Sequence, residues 1–160
     1  MRAAKIVLSL ALASFCLVVT FDNLTDYSTN YLFLQHVMSM DTTFPGNALM
    51  YPSITNPALW QLGYALIIAA EGLAGLLFLA DAVRLIQARY APGEVFNAAK
   101  ALVVAAATVA FLVWFFGFMV VAREWFAMWQ SKSWNGQEAA FRVSLPDGDL
   151  APRRSRGNVL

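Results

Sequence analysis

The chain has 160 residues, 59% of them hydrophobic and 13% charged, with a formal net charge of +1. A soluble domain of this length needs more polar surface to cover its core, and a nearly neutral chain lacks the basic footprint that nucleic acid requires. Cys16 is the single cysteine, which excludes an intrachain disulfide and a cysteine-cluster metal site.

The apolar residues are gathered into long runs, the pattern of an all-α integral membrane bundle. A bilayer core of ~30 Å takes ~20 helical residues, and three runs qualify. The first covers residues 5–21 of "MRAAKIVLSLALASFCLVVTF". Arg2 and Lys5 ahead of an apolar run also describe a secretory signal. Bulky Phe15 stands before Cys16, however, and no small-x-small exit follows, so an uncleaved first helix is expected.

Residues 22–58 are expected to form an external loop with structure of its own. Asn23, Asp26, Tyr27, Asn30, Leu34 and Val37 recur at three- and four-residue steps. That spacing predicts an amphipathic helix over residues 24–40 lying on the bilayer surface. Asp41 then starts a turn-rich stretch that leads into the second span.

The second span, residues 59–83, carries Glu71 between long apolar flanks and beside Ala70, Gly72, Ala74 and Gly75. A charge at that depth costs on the order of 2.5–3.5 kcal/mol on insertion scales. Glu71 is therefore expected to be protonated and hydrogen-bonded in the bundle, with Thr108, Ser9 and Ser14 as candidate partners. The third span, residues 99–128, follows the "QARYAPGEVFNAAK" link and ends in "EWFAMW". Residues 1–142 are expected to make one membrane domain and residues 143–160 a polar, disordered tail.

No Lys or Arg lies between Lys5 and Arg84, while Arg84, Arg89 and Lys100 bracket the second link. The positive-inside rule then puts the N-terminus and that link in the cytoplasm and residues 22–58 outside, which in a bacterium is the periplasm. Trp60, Tyr64, Trp125 and Trp129 fall where an external aromatic belt is expected. The arginine-bearing tail "APRRSRGNVL" lands outside on this reading, against the same rule.

"NLTDYSTNYLFLQHVMSMDTTFP" together with "EWFAMWQSKSWNGQEAAFR" resembles an uncharacterised bacterial family of predicted small integral membrane proteins, a domain of unknown function. The resemblance spans roughly residues 21–142. It implies a small inner-membrane protein of about four helices with no established activity. The family's last helix would follow "WNGQEAAFR", but here the chain turns short and polar from Val143. A replaced C-terminus, for instance by frameshift, is the expectation that follows.

Two groups of residues are candidates for chemistry. Glu71 and Thr108 are the intramembrane polar residues, suited either to proton or cation handling or to an interhelical hydrogen bond. The external group comprises Asn23, Asp26, Asn30, His36, Asp41, Glu124, Trp125, Trp129, Trp134, Asn135 and Gln137. His36, Asp41 and Glu124 have the donor types for a divalent metal. His36 and Asp41 are five residues apart, though, off the one-face steps of a straight helix, so His36 is expected at the water boundary. Three classes of function follow from these features. The leading one is a non-enzymatic accessory or scaffold subunit without a cofactor, in contact with the lipid bilayer and other membrane protein subunits. A small ion-handling protein using Glu71 is second, and a metal-dependent enzyme at the periplasmic face is third.

Overall fold

The computed structural model describes residues 2–98 and 100–136, whose regular elements are all helices, joined by turns such as residues 40–56. Helix α1 runs Arg2–Thr25, α2 Tyr27–Ser39, α3 Pro57–Gln87, α4 Gly93–Ala98 and α5 Ala101–Phe111. From α5 the chain continues as a wide π-helical segment, Leu112–Trp125, and then a short 3-10 turn, Met128–Gln130. Three stretches are long and apolar enough to cross a membrane: Arg2–Thr25, Pro57–Gln87 and Gly93–Trp125. The protein is an integral membrane helical bundle. The 143–160 tail, the place of a fourth helix and Gln137 lie outside the described residues.

Each boundary has a local cause. Asn56 caps α3 by accepting from the Ala58 amide at 2.9 Å, and Pro57 occupies the first turn, where no amide is needed. The α1–α2 break falls at Asp26, one turn later than the apolar run alone suggests, because α1 continues to Thr25. At the end of α2, Met40 adopts a left-handed conformation with φ 56° and turns its amide back to the His36 and Val37 carbonyls.

α1 and α3 pack antiparallel and very closely. Gly75 of α3 lies so near α1 that a Cβ there would sit 2.8 Å from Leu17 and 3.2 Å from the Cys16 side chain. With little hydrophobic driving force between helices in lipid, such close backbone contact is what joins them. Ala13, Cys16, Ala74, Phe78 and Ala106 form the resulting three-helix core, with Val103, Val109 and Trp114 packed around it. Outward-facing Val104, Phe111, Phe115 and Phe116 stay exposed, as lipid contact permits.

α2 does not leave its apolar face to lipid alone. Tyr27 and Tyr31 pack on Tyr64 of α3, and Leu34 and Met38 pack beside Gly63. Val37 and Met40 join Phe126, Ala127 and Met128 in a second core at the end of the bundle that the positive-inside rule expects to face outward. The helix expected over residues 24–40 forms as α2, docked on α3 and on the end of the third span.

At the opposite end, the Arg2 guanidinium donates to the Arg89 and Ala91 carbonyls, both at 2.8 Å. It also lies over the ring of buried Phe96, 4.9 Å from its centroid. The start of the chain is thereby fastened to the α3–α4 link.

Candidate functional site

The polar groups inside the bundle form two separate knots on one face of α3. That face is the run Tyr64, Glu71, Ala74, Gly75, Phe78, Asp81, Ala82 and Leu85, all buried. Both acids lie on it, ten residues apart.

In the outer knot, Glu71 is only 4% exposed and its Oε2 accepts from Asn23 Nδ2 at 2.7 Å. The Tyr64 hydroxyl donates to Asn23 as well, 2.9 Å from the carbonyl and 3.3 Å from Oδ1. Tyr27 meets the Tyr64 ring edge-on at 4.8 Å and stacks on Tyr31 at 5.9 Å. A polar path therefore runs from the tyrosines at the α1–α2 junction down to Glu71.

None of the partners expected for Glu71 from sequence is used. Thr108 is exposed, and its hydroxyl donates to the Val104 carbonyl of its own helix. Ser14 likewise bonds to Leu10. Ser9 faces the bundle but serves Asp81. Asn23 takes the role because α1 extends past residue 21, which brings its amide onto the face that meets α3.

The inner knot holds a second acid of the same span, Asp81, two residues before the expected end of that span at residue 83. Asp81 is 0% exposed; its Oδ2 accepts from Ser9 Oγ at 2.8 Å and its Oδ1 from the Val103 amide at 3.1 Å. Lys100, at the start of α5, makes no side-chain cap. Asp81 supplies it from another helix, sharing the Val103 amide with the Lys100 carbonyl at 3.2 Å and placing a carboxylate at the positive end of the dipole. The three-and-four-residue stripe of small residues containing both acids was the signal that could have found it.

The outer cap is knitted by hydrogen bonds between the loop and the chain after the third span. Thr42 and Ser131 share a hydroxyl bond at 2.8 Å, and the Phe44 amide donates to Gln130 Oε1 at 3.2 Å. The Ile54 amide donates to the Met38 carbonyl, and Trp60 Nε1 to the Ile54 carbonyl, each at 2.8 Å. A void of about 10 Å³ remains beside His36, Met40, Thr42, Ser131 and Trp134, enough for about one water.

His36 does meet Asp41, with Nδ1 2.8 Å from Oδ2. The left-handed Met40 reverses the chain between them, so straight-helix spacing does not apply. Trp134 stacks on the imidazole with centroids 4.5 Å apart. With Nδ1 held by a carboxylate, Nε2 is the nitrogen left for an outside partner. Glu124 pairs with neighbouring Arg123 instead of approaching His36. Among the described residues, no three His, Cys, Asp or Glu side chains gather into a group able to hold a metal ion.

The remaining external candidates divide between packing and display. Asp26 is exposed, Asn30 is half-buried and reaches the Asp26 carbonyl at 3.5 Å, and Asn135 is half-buried. Trp125 meets Tyr51 at 5.7 Å and Trp129 meets Phe44 at 5.8 Å, both edge-on. All four rings stay substantially exposed, Tyr51 at 74% and Trp125 at 54%.

Against known families, residues 1–146 match the one described as "Predicted small integral membrane protein (DUF2165)". No curated protein and no solved structure matches the chain.

Proposed function

The chain belongs to this family of predicted small integral membrane proteins, and from that premise we propose that it is a non-enzymatic accessory or scaffold subunit. Its outer cap docks a partner protein or lipid. The reading includes a bacterial inner membrane, with the N-terminus in the cytoplasm and the cap in the periplasm. The single observation that carries it is the pair of exposed aromatic contacts, Tyr51 with Trp125 and Phe44 with Trp129, held on a hydrogen-bonded cap. Aromatic side chains presented by a rigid scaffold are the usual anchors of protein contacts.

Extraction in a mild detergent and native electrophoresis test this reading. The wild-type chain is expected in a complex well above its own 17.6 kDa. A Tyr51→Ala/Trp125→Ala variant is expected to run without that partner. Migration of the wild type as a lone chain in every mild detergent sinks the docking reading.

A second reading is favoured by the polar path from Tyr64 through Asn23 to Glu71. Here Glu71 handles a proton or cation that reaches it from the outer side. Ion flux into liposomes that persists in Glu71→Gln at the wild-type rate removes it.

A further inference from the structure

We propose that the groove between the end of α3 and α4 binds the headgroup of an anionic phospholipid, with Arg84 pairing its phosphate. Arg84, Gln87 and Ala88 of α3 and Ala91, Val95 and Ala98 of the link and α4 line an open groove of about 390 Å³. The Arg84 side chain is exposed and has no hydrogen bond or ion pair among the described residues, while its carbonyl accepts the Ala88 amide. Its neighbours are committed elsewhere. Arg89 donates to the Ile86 carbonyl at 2.9 Å and lies over Tyr90, while Arg2 is bonded to the Arg89 and Ala91 carbonyls.

The groove's walls are fixed. Arg2 clamps the link from the α1 side, and Phe96, on the inner side of α4, is buried against it. Val95 and Ala98 are left exposed beside Ala88. The groove sets a guanidinium and an amide, Arg84 and Gln87, beside alanine and valine walls. A phospholipid likewise carries a phosphate next to apolar acyl chains. Arginine suits phosphate because its planar fork can donate two parallel bonds.

Charge complementarity selects an anionic lipid over a zwitterionic one. Arg2, Lys5, Arg84, Arg89 and Lys100 gather at this end, against Glu94. Basic pockets between spans on one side of a membrane recognise anionic headgroups, each cation near the surface adding severalfold in affinity. A free phosphate would satisfy Arg84 but leave the apolar walls of Ala88, Ala91, Val95 and Ala98 unused, which is why the lipid is the assigned occupant.

Native mass spectrometry of the full chain, titrated in detergent with phosphatidylglycerol or phosphatidylcholine, tests the assignment. The wild type is expected to retain phosphatidylglycerol about fivefold more tightly than phosphatidylcholine. Arg84→Gln should abolish that preference, and Arg89→Gln should keep it. Ala88→Trp, which fills the groove without touching charge, should weaken both lipids. Circular dichroism identifies any variant that has merely lost its helices, and Arg84→Lys, which keeps the charge, should retain part of the preference. Equal retention of the two lipids by the wild type overturns the proposal, as does a preference unchanged in Arg84→Gln or binding unaffected by Ala88→Trp. Displacement of the lipid by millimolar inorganic phosphate would overturn the lipid assignment in favour of a free-anion site.

Discussion

Asp81 of α3 caps α5: its carboxylate accepts the Val103 amide at 3.1 Å while also holding Ser9 of α1 at 2.8 Å. One buried side chain thereby ties all three spans at the basic end. Asp81→Ala should take away the acceptor of the buried Ser9 hydroxyl, leave the Val103 amide to the Lys100 carbonyl alone, and cost about 1–3 kcal/mol, measured by equilibrium unfolding in mixed micelles. Asp81→Asn, which keeps an acceptor for the amide, should cost less than half as much. An alanine variant as stable as the parent would refute the cap.

The second prediction concerns the outer knot. Asn23→Leu strips Glu71 of its donor at 2.7 Å and should destabilise the bundle by about 1–3 kcal/mol. Glu71→Gln keeps an acceptor for Asn23 and should be milder. A double-mutant cycle between the two positions should give a coupling of about 0.5–3 kcal/mol, and a cycle that closes to zero would show the contact carries no stability.

Close approach at Gly75 gives a third test with a built-in rescue. Gly75→Ala places a methyl group 2.8 Å from Leu17 and should cost about 1–3 kcal/mol by overpacking. Adding Leu17→Ala should recover part of that loss. Failure of the second substitution to help would mean that the strain arises elsewhere.

At His36 the expected effect is on reactivity more than on stability. The pair with Asp41 is partly exposed, so Asp41→Ala should change stability by no more than about 1 kcal/mol. Removing the stacked ring with Trp134→Ala should speed carbethoxylation of His36 by diethyl pyrocarbonate. Unchanged modification kinetics would count against the stack in the membrane-embedded protein.

Hydropathy made the three spans legible, and the cost of a charge in lipid marked Glu71. What was not legible were the partners. Asn23 looked like a loop residue because the apolar run ends at Phe21, while the α-helix itself persists for another turn. Asp81 went unmarked because it falls two residues before the expected end of the second span at residue 83, although α3 continues to Gln87. Both errors have one cause: hydropathy reports where lipid contact stops, and helices stop where their backbone is capped. The His36–Asp41 pair was hidden by a different effect, a left-handed backbone at Met40, a conformation that a non-glycine residue seldom takes. The outer cap depends on pairings between residues far apart in the chain, such as Thr42 with Ser131, which no local pattern encodes.

The spacing of the two acids on α3 also makes that helix a gauge. Glu71 and Asp81 are ten residues apart, about 15 Å along the axis, and each must face α1 at its own height. Inserting one residue between them would rotate one acid about 100° relative to the other. One of the two would then turn away from α1 and lose its partner there, whichever way the helix settled. Sequence changes that alter the length of this ten-residue interval should therefore be far less tolerated than substitutions on its outward face.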